Sequence, residues 1–97
     1  MHKTQTPYIS ILIPIRNEAT YIQRCLDAVL AQEYPRDRME ILIADGMSTD
    51  GTRQILQQAQ ADQPNIQVFD NPGMIVPTGL NRLIPQAKGE ILIRVDG

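Results

Sequence analysis

Apolar residues along this chain fall into four short runs separated by helical patterns. The runs are Tyr8 to Ile13, Glu40 to Ala44, Ile66 to Phe69 and Ile91 to Val95, all rich in Ile and Val. The first, second and fourth are almost continuously apolar, which predicts strands covered on both faces, as in a parallel sheet. Between them, Ile22, Cys25, Leu26, Val29 and Leu30 follow helical spacing. Thr52, Ile55, Leu56 and Ala59 repeat it, and Leu80, Leu83, Ile84 and Ala87 give a third stripe. Each stripe makes one apolar face that can lie on a sheet. Pro77 suits the first turn of the third helix, whereas Pro85 would clash with the carbonyl of Asn81 and kink or end it.

The predicted order is β-α-β-α-β-α-β. Alternation of this kind calls for right-handed crossovers and an α/β, Rossmann-like doubly wound parallel sheet. Ligands of such sheets bind beyond the carboxyl ends of the strands. Polar residues gather there: Arg16-Asn17-Glu18 after the first strand, Asp45 to Thr52 after the second, Asp70-Asn71-Pro72-Gly73 after the third and Asp96-Gly97 after the fourth. There is no internal repeat, and Gln57 to Gln63 reads as a solvated helix end.

Composition narrows the function classes. The 97 residues carry a net charge of −2, with 42% apolar and 21% charged residues interspersed. No basic cluster marks a nucleic-acid or anionic-membrane surface. A single cysteine, Cys25, rules out an internal disulfide and reads as a small residue on a helix's apolar face. The polar N-terminus, with His2, lacks the apolar stretch of a signal peptide. No run approaches the roughly 20 apolar residues of a membrane span.

The loop residues have structural and functional readings. Asn17 is able to cap the first helix, with Glu18 near its positive end; alternatively Pro14 and Glu18 wall a nucleobase pocket. Ser48, Thr49 and Asp50 are capable caps of the second helix. Asp45, at a strand end, is a costly place for an unpaired carboxylate and offers an acceptor to a base N–H or ribose hydroxyls. No G-x-G-x-x-G follows the first strand, and no G-x-x-x-x-G-K-[ST] occurs. This disfavours a dinucleotide-dependent oxidoreductase or a P-loop ATPase. A bound diphosphate would then be neutralised most simply by a divalent cation, Mg²⁺ or Mn²⁺. Asp96 is a candidate ligand for it, or a turn residue before Gly97. Lys88 reads as a cation at a helix end, and Arg94, within an apolar strand, as a carboxylate's partner or an edge marker.

Several segments together resemble one family. Ile9-Ser10-Ile11-Leu12-Ile13-Pro14-Ile15-Arg16-Asn17-Glu18 resembles the opening of family 2 glycosyltransferases. Cys25-Leu26-Asp27, Leu30-Ala31-Gln32 and Tyr34-Pro35 are similar to their first helix and its exit. Asp45-Gly46-Met47-Ser48-Thr49-Asp50-Gly51-Thr52 resembles their nucleotide loop, and Asn81 with Ala87-Lys88-Gly89-Glu90 the approach to their metal-binding D-x-D. The variants Asp45-Gly46-Met47-Ser48 and Val95-Asp96-Gly97 look most like bacterial polysaccharide enzymes, including the succinoglycan type.

The resemblance implies the GT-A fold, a nucleoside-diphosphate-sugar donor, a saccharide or lipid-linked acceptor, inversion, and a divalent metal. It places Pro14, Glu18, Asp45 and Asp96 at the nucleotide sugar, with Asp96 as the first acid of D-x-D and a metal ligand. There are departures: Gly46 stands where many relatives carry a second acid, Leu83 where many have Gly, and the residue completing D-x-D would follow Gly97. Residues 1–97 are thus expected to be the donor-binding, N-terminal part of a glycosyltransferase domain, without the acceptor half or its general base, and inactive alone. The expected setting is cytoplasmic, with the inner membrane face reachable through a longer parent. A non-catalytic nucleotide- or partner-binding module of the same fold is the alternative.

Overall fold

Strict alternation along the central strands sorts the chain into two cores. The computed structural model describes residues 6–96; the polar start with His2, and Gly97, lie outside them. Four parallel strands, β1 (Ile9–Ile15), β2 (Met39–Asp45), β3 (Ile66–Asp70) and β4 (Ile91–Arg94), form one sheet in the order β3-β2-β1-β4. The helices are α1 (Ala19–Leu30), α2 (Thr52–Asp62) and α3 (Val76–Leu83). Side chains at successive strand positions point to opposite faces. Ile9, Ile11, Ile13 and Ile15 therefore join Ile41, Ile43 and Ile66 beneath Ile22, Leu26 and Leu56 of α1 and α2. Leu12, Leu42 and Ala44 face the other way, onto Leu83 of α3. Each fully buried Ile or Leu contributes about 1.5–3 kcal/mol, so β1 and β2 hold most of the apolar stabilisation.

β1 and β2 are buried along their whole length, as their continuous apolar runs predict. β4 departs from that expectation. Its run is as apolar, yet Ile91, Leu92 and Ile93 are each more than 40% exposed. The helices lie over β1, β2 and β3, and β4 is an edge strand paired only with β1. Ile91 and Ile93 instead help line an apolar groove of about 550 Å³ beside Ile11 and Val29.

The prolines act as their chemistry requires. Pro77 sits in the first turn of α3, and α3 stops at Leu83, after which Ile84–Gln86 form one 3-10 turn around Pro85. Lys88 lies beyond that turn rather than at a helix end, and what it contributes is its amide. That amide donates to buried Glu40 (2.7 Å), which also accepts from the Ser10 hydroxyl (2.6 Å). The Gly89 amide donates to Ser10 Oγ (2.8 Å). This polar clasp fixes the start of β4 against β1 and β2. Cys25 is buried in α1, as expected. Among the described residues, no helix is long and apolar enough to cross a membrane.

Candidate functional site

Pro14 shows why the chain opens where it does. The carbonyls of Tyr8 and Leu12 accept bonds from the β4 side, whereas that of Ile15 accepts from Gly46 at the end of β2. Even-numbered positions of β1 thus turn their backbone towards β4, and β4 pairing ends at Leu12↔Arg94. Proline's missing N–H falls beyond the end of the neighbouring strand, where no ladder bond is lost. Past this point the chain leaves the sheet, and a cavity of about 180 Å³ opens. One wall is Pro14, Ile15, Arg16 and Glu18; the other is Asn71, Met74, Ile75 and Val76.

The second loop caps the start of α1, and the two loops bond to each other. Asn17 does not cap α1 with its side chain, contrary to the sequence reading. Its backbone takes φ 52°, its Oδ1 accepts from the Thr49 amide (2.7 Å), and its own amide donates to Ser48 Oγ (2.9 Å). The start of α1 is satisfied from across the gap: the Glu18 amide donates to Thr52 Oγ1 (3.0 Å) and the Ala19 amide to Asp50 Oδ2 (3.3 Å). The N-cap position of α2 is Gly51, at φ 111°, a conformation glycine tolerates. Asp50 Oδ1 accepts from both the hydroxyl (2.6 Å) and the amide (2.9 Å) of Thr52.

These bonds from the Thr52 hydroxyl, then its amide, hold the Asp50 carboxyl below its ordinary value of 3.8. A carboxylate whose folded value lies below its unfolded one supports the fold above the unfolded value. That support is lost as pH falls through the lowered folded value. The Ala19 and Thr52 amide resonances should therefore titrate together, with a midpoint below 3.8. A midpoint at or above that value would remove Asp50 from its capping role.

Asp45 is completely buried. Its Oδ1 accepts from the Ser48 hydroxyl (2.5 Å); its Oδ2 accepts from the Ser48 amide (3.3 Å) and faces Arg53 Nη2 (2.9 Å). Arg53 reaches on to Asp70 (2.7 Å), and its pKa is raised, first by the bond to Asp70 and further by the Asp45 charge. A cation in the first turn of α2 opposes the helix dipole, and two carboxylates offset this. Sequence reasoning missed Arg53; an Arg in the first turn of the helix that follows a strand-end Asp is the only signal for it.

Of the residues singled out from sequence, Pro14 and Glu18 border the cavity together. Asp45 is not among the residues that border it. Asp96 follows β4, across β1 from Asp45 at the same edge of the sheet, and does not border it either. Asp96 Oδ1 accepts from Arg94 Nε (2.7 Å), the carboxylate partner expected for Arg94, and its carbonyl accepts from the Tyr21 hydroxyl (2.5 Å). Among the described residues no group of three His, Cys, Asp or Glu is placed to hold a metal ion. One carboxylate already paired with an arginine is short of the several oxygens Mg²⁺ or Mn²⁺ takes, so these residues alone do not fit a metal centre.

One backbone feature marks this edge independently of any side-chain chemistry. Among the described residues the non-glycine residues at positive φ are Asn17 (52°), Met47 (62°) and Met74 (67°). They fall one each in the loops after β1, β2 and β3. Such conformations cost about 1 kcal/mol or more in a residue with a Cβ and gather where function over-determines the backbone.

Comparison with known proteins agrees with this geometry. The profile of glycosyl transferase family 2 matches residues 10–97. Glycosyltransferase AglE of Haloferax volcanii is 37% identical over 92 residues, covering 94% of this chain and 30% of that protein. The succinoglycan biosynthesis protein ExoA of Rhizobium meliloti is 35% identical over 88 residues, covering 89% of this chain and 26% of that one. The chain thus spans under a third of the length of these relatives. Among solved structures, the mannosyltransferase PcManGT of Pyrobaculum calidifontis, in complex with GDP-Man and Mn²⁺, superposes with a TM-score of 0.87 at 30% identity. It covers 96% of this chain and 28% of that one. S. aureus TarS in complex with UDP gives 0.80 at 29% identity, over 91% of this chain and 26% of that one. With its parallel sheet, its loops gathered at the carboxyl edge and this match over nearly its whole length, the chain belongs to glycosyl transferase family 2.

Proposed function

We propose that this chain is the donor-binding part of an inverting glycosyltransferase of polysaccharide assembly, taking a nucleoside-diphosphate sugar at the carboxyl edge of its sheet. The carrying observation is the set of three left-handed residues, one in each loop after β1, β2 and β3, at the sheet edge where the cavity opens. The backbone is held out of its preferred regions where a ligand of an α/β sheet belongs. On this reading the nucleoside sits between Pro14–Glu18 and the 71–76 segment, and the diphosphate lies towards Asp96. The solved relatives carrying GDP-Man with Mn²⁺, and UDP, support a nucleoside-diphosphate ligand and a divalent ion. Asp96 would give that ion one oxygen, with the diphosphate and further ligands completing its shell. The acceptor is a saccharide or a lipid-linked acceptor, and the setting is cytoplasmic, with the inner membrane face reachable through a longer parent.

Inversion requires a general base to take the acceptor hydroxyl's proton during in-line attack. None of the described residues is assigned that role, so the 97-residue chain binds donor without transferring sugar. The same observation favours the second reading, a nucleotide-binding module without catalysis. Calorimetry on the chain should show UDP or GDP bound in preference to NAD and ATP, with little response to Mn²⁺ and no transfer in a parallel assay. Equal binding of all four nucleotides would sink the donor reading; robust transfer would sink the assignment of the base elsewhere.

A further inference from the structure

We propose that Gly46 gauges the width of the cavity and is thereby a specificity-determining position for the nucleobase. The base part of this rests on the donor reading above.

Gly46 is the point where the exits of β1, β2 and β3 meet. Its amide donates to the Ile15 carbonyl (2.8 Å), and its own carbonyl accepts from Arg16 Nε (2.8 Å). A Cβ at this position would lie 3.1 Å from Arg16 Cβ, 3.1 Å from the Met74 carbonyl oxygen and 3.2 Å from Met74 Cα. Arg16 belongs to one wall of the cavity and Met74 to the other. Two of the three tight contacts are to backbone, which has no rotamer by which to yield.

The Met74 wall is also braced from behind. The Met74 amide donates to the Asn71 carbonyl (3.0 Å), and Asn71 Nδ2, on a buried side chain, donates to the Ile75 carbonyl (3.0 Å). Gly73 packs so closely on Thr78 that a Cβ there would meet its Oγ1 at 2.5 Å. A methyl group at position 46 therefore moves the 71–76 segment as a unit, and the cavity widens. On the donor reading the base lies between Pro14 and the Met74–Ile75 segment, in the cavity of about 180 Å³. Widening it removes contacts to a base and leaves those to a diphosphate.

The test is Gly46→Ala in the full chain, with two readouts. Amide hydrogen exchange at Met74 and Gly79 should speed up about tenfold, the equivalent of 1.4 kcal/mol in local opening. UDP and GDP should bind about tenfold more weakly with a changed ratio between them, while inorganic pyrophosphate binds as before. Unchanged exchange and an unchanged UDP-to-GDP ratio would overturn the proposal. Should Gly46→Ala fail to fold, Thr78→Ala loosens the same wall by removing the hydroxyl that donates to the Ile75 carbonyl (2.9 Å), at a residue that does not itself line the cavity. The same pattern is expected from it, and wild-type exchange and binding would overturn the proposal equally. A wild-type chain that binds neither nucleotide overturns the donor reading, and with it the role in specificity, while the exchange result still decides whether Gly46 sets the wall spacing.

Discussion

Gly89→Ala should lower the unfolding free energy by about 2–4 kcal/mol, the sum of a backbone overpacking cost and a broken buried hydrogen bond. A Cβ there would stand 2.6 Å from both the amide nitrogen and the hydroxyl oxygen of Ser10, and 2.9 Å from the carbonyl carbon of Ile9. The β1 backbone is the most deeply packed in the molecule and does not retreat. The 88–90 segment must move instead, and with it go the Gly89–Ser10 and Lys88–Glu40 bonds. Glu40 would then be a buried carboxylate with one donor fewer. Urea denaturation followed by circular dichroism measures the effect, with Lys88→Ala as control because Lys88 contributes only its amide. An unchanged midpoint for Gly89→Ala would mean that the clasp adds nothing.

Asp45→Ala should cost about 2–4 kcal/mol of stability before any ligand is considered. Removing one member of a buried ion pair strands the other, but Arg53 is a third exposed and keeps Asp70, which holds the figure below that of a fully enclosed pair. Ser48 also loses its hydroxyl acceptor, and with it the orientation that receives the Asn17 amide. Asp45→Asn, which keeps the acceptor and removes the charge, should lie between alanine and wild type. If Asp45→Ala instead melts like wild type and loses nucleotide binding, its carboxylate serves the ligand and not the loop.

The contrast between these two sites shows what the sequence conveys. The parallel sheet is legible because β1 and β2 are buried on both faces, and that condition writes itself as almost continuously apolar runs such as Ile9 to Ile13, broken only by Ser10. The stop of α3 is legible because proline chemistry is local. β4 misleads because a run of Ile-Leu-Ile reads alike whether covered or exposed; coverage depends on helices elsewhere in the chain. At the site, Pro14 and Glu18 are found by their place after a strand. The partners of Asp45 and the bracing of Met74 are not: Arg53, Asn71 and Thr78 are near in sequence to what they bond, but their contacts depend on irregular loop backbone that no periodic pattern encodes. Asn17 fails for the same reason: local propensity makes it a cap, and a neighbouring loop gives it a better bond.

The bonding between the first two loops has an evolutionary consequence. Asn17, Glu18 and Ala19 draw on Ser48, Asp50 and Thr52, and Thr49 draws on Asn17, so the start of α1 is not self-sufficient, whereas α2 has its cap in Asp50 of its own loop. Drift at one loop then exposes unsatisfied donors in the other. In diverging descendants of this chain, position 17 should change in step with positions 48 and 49, and positions 50 and 52 should change as a couple. A chimaera that takes one loop from a distant homologue and keeps the other should fold less well than one that inherits both.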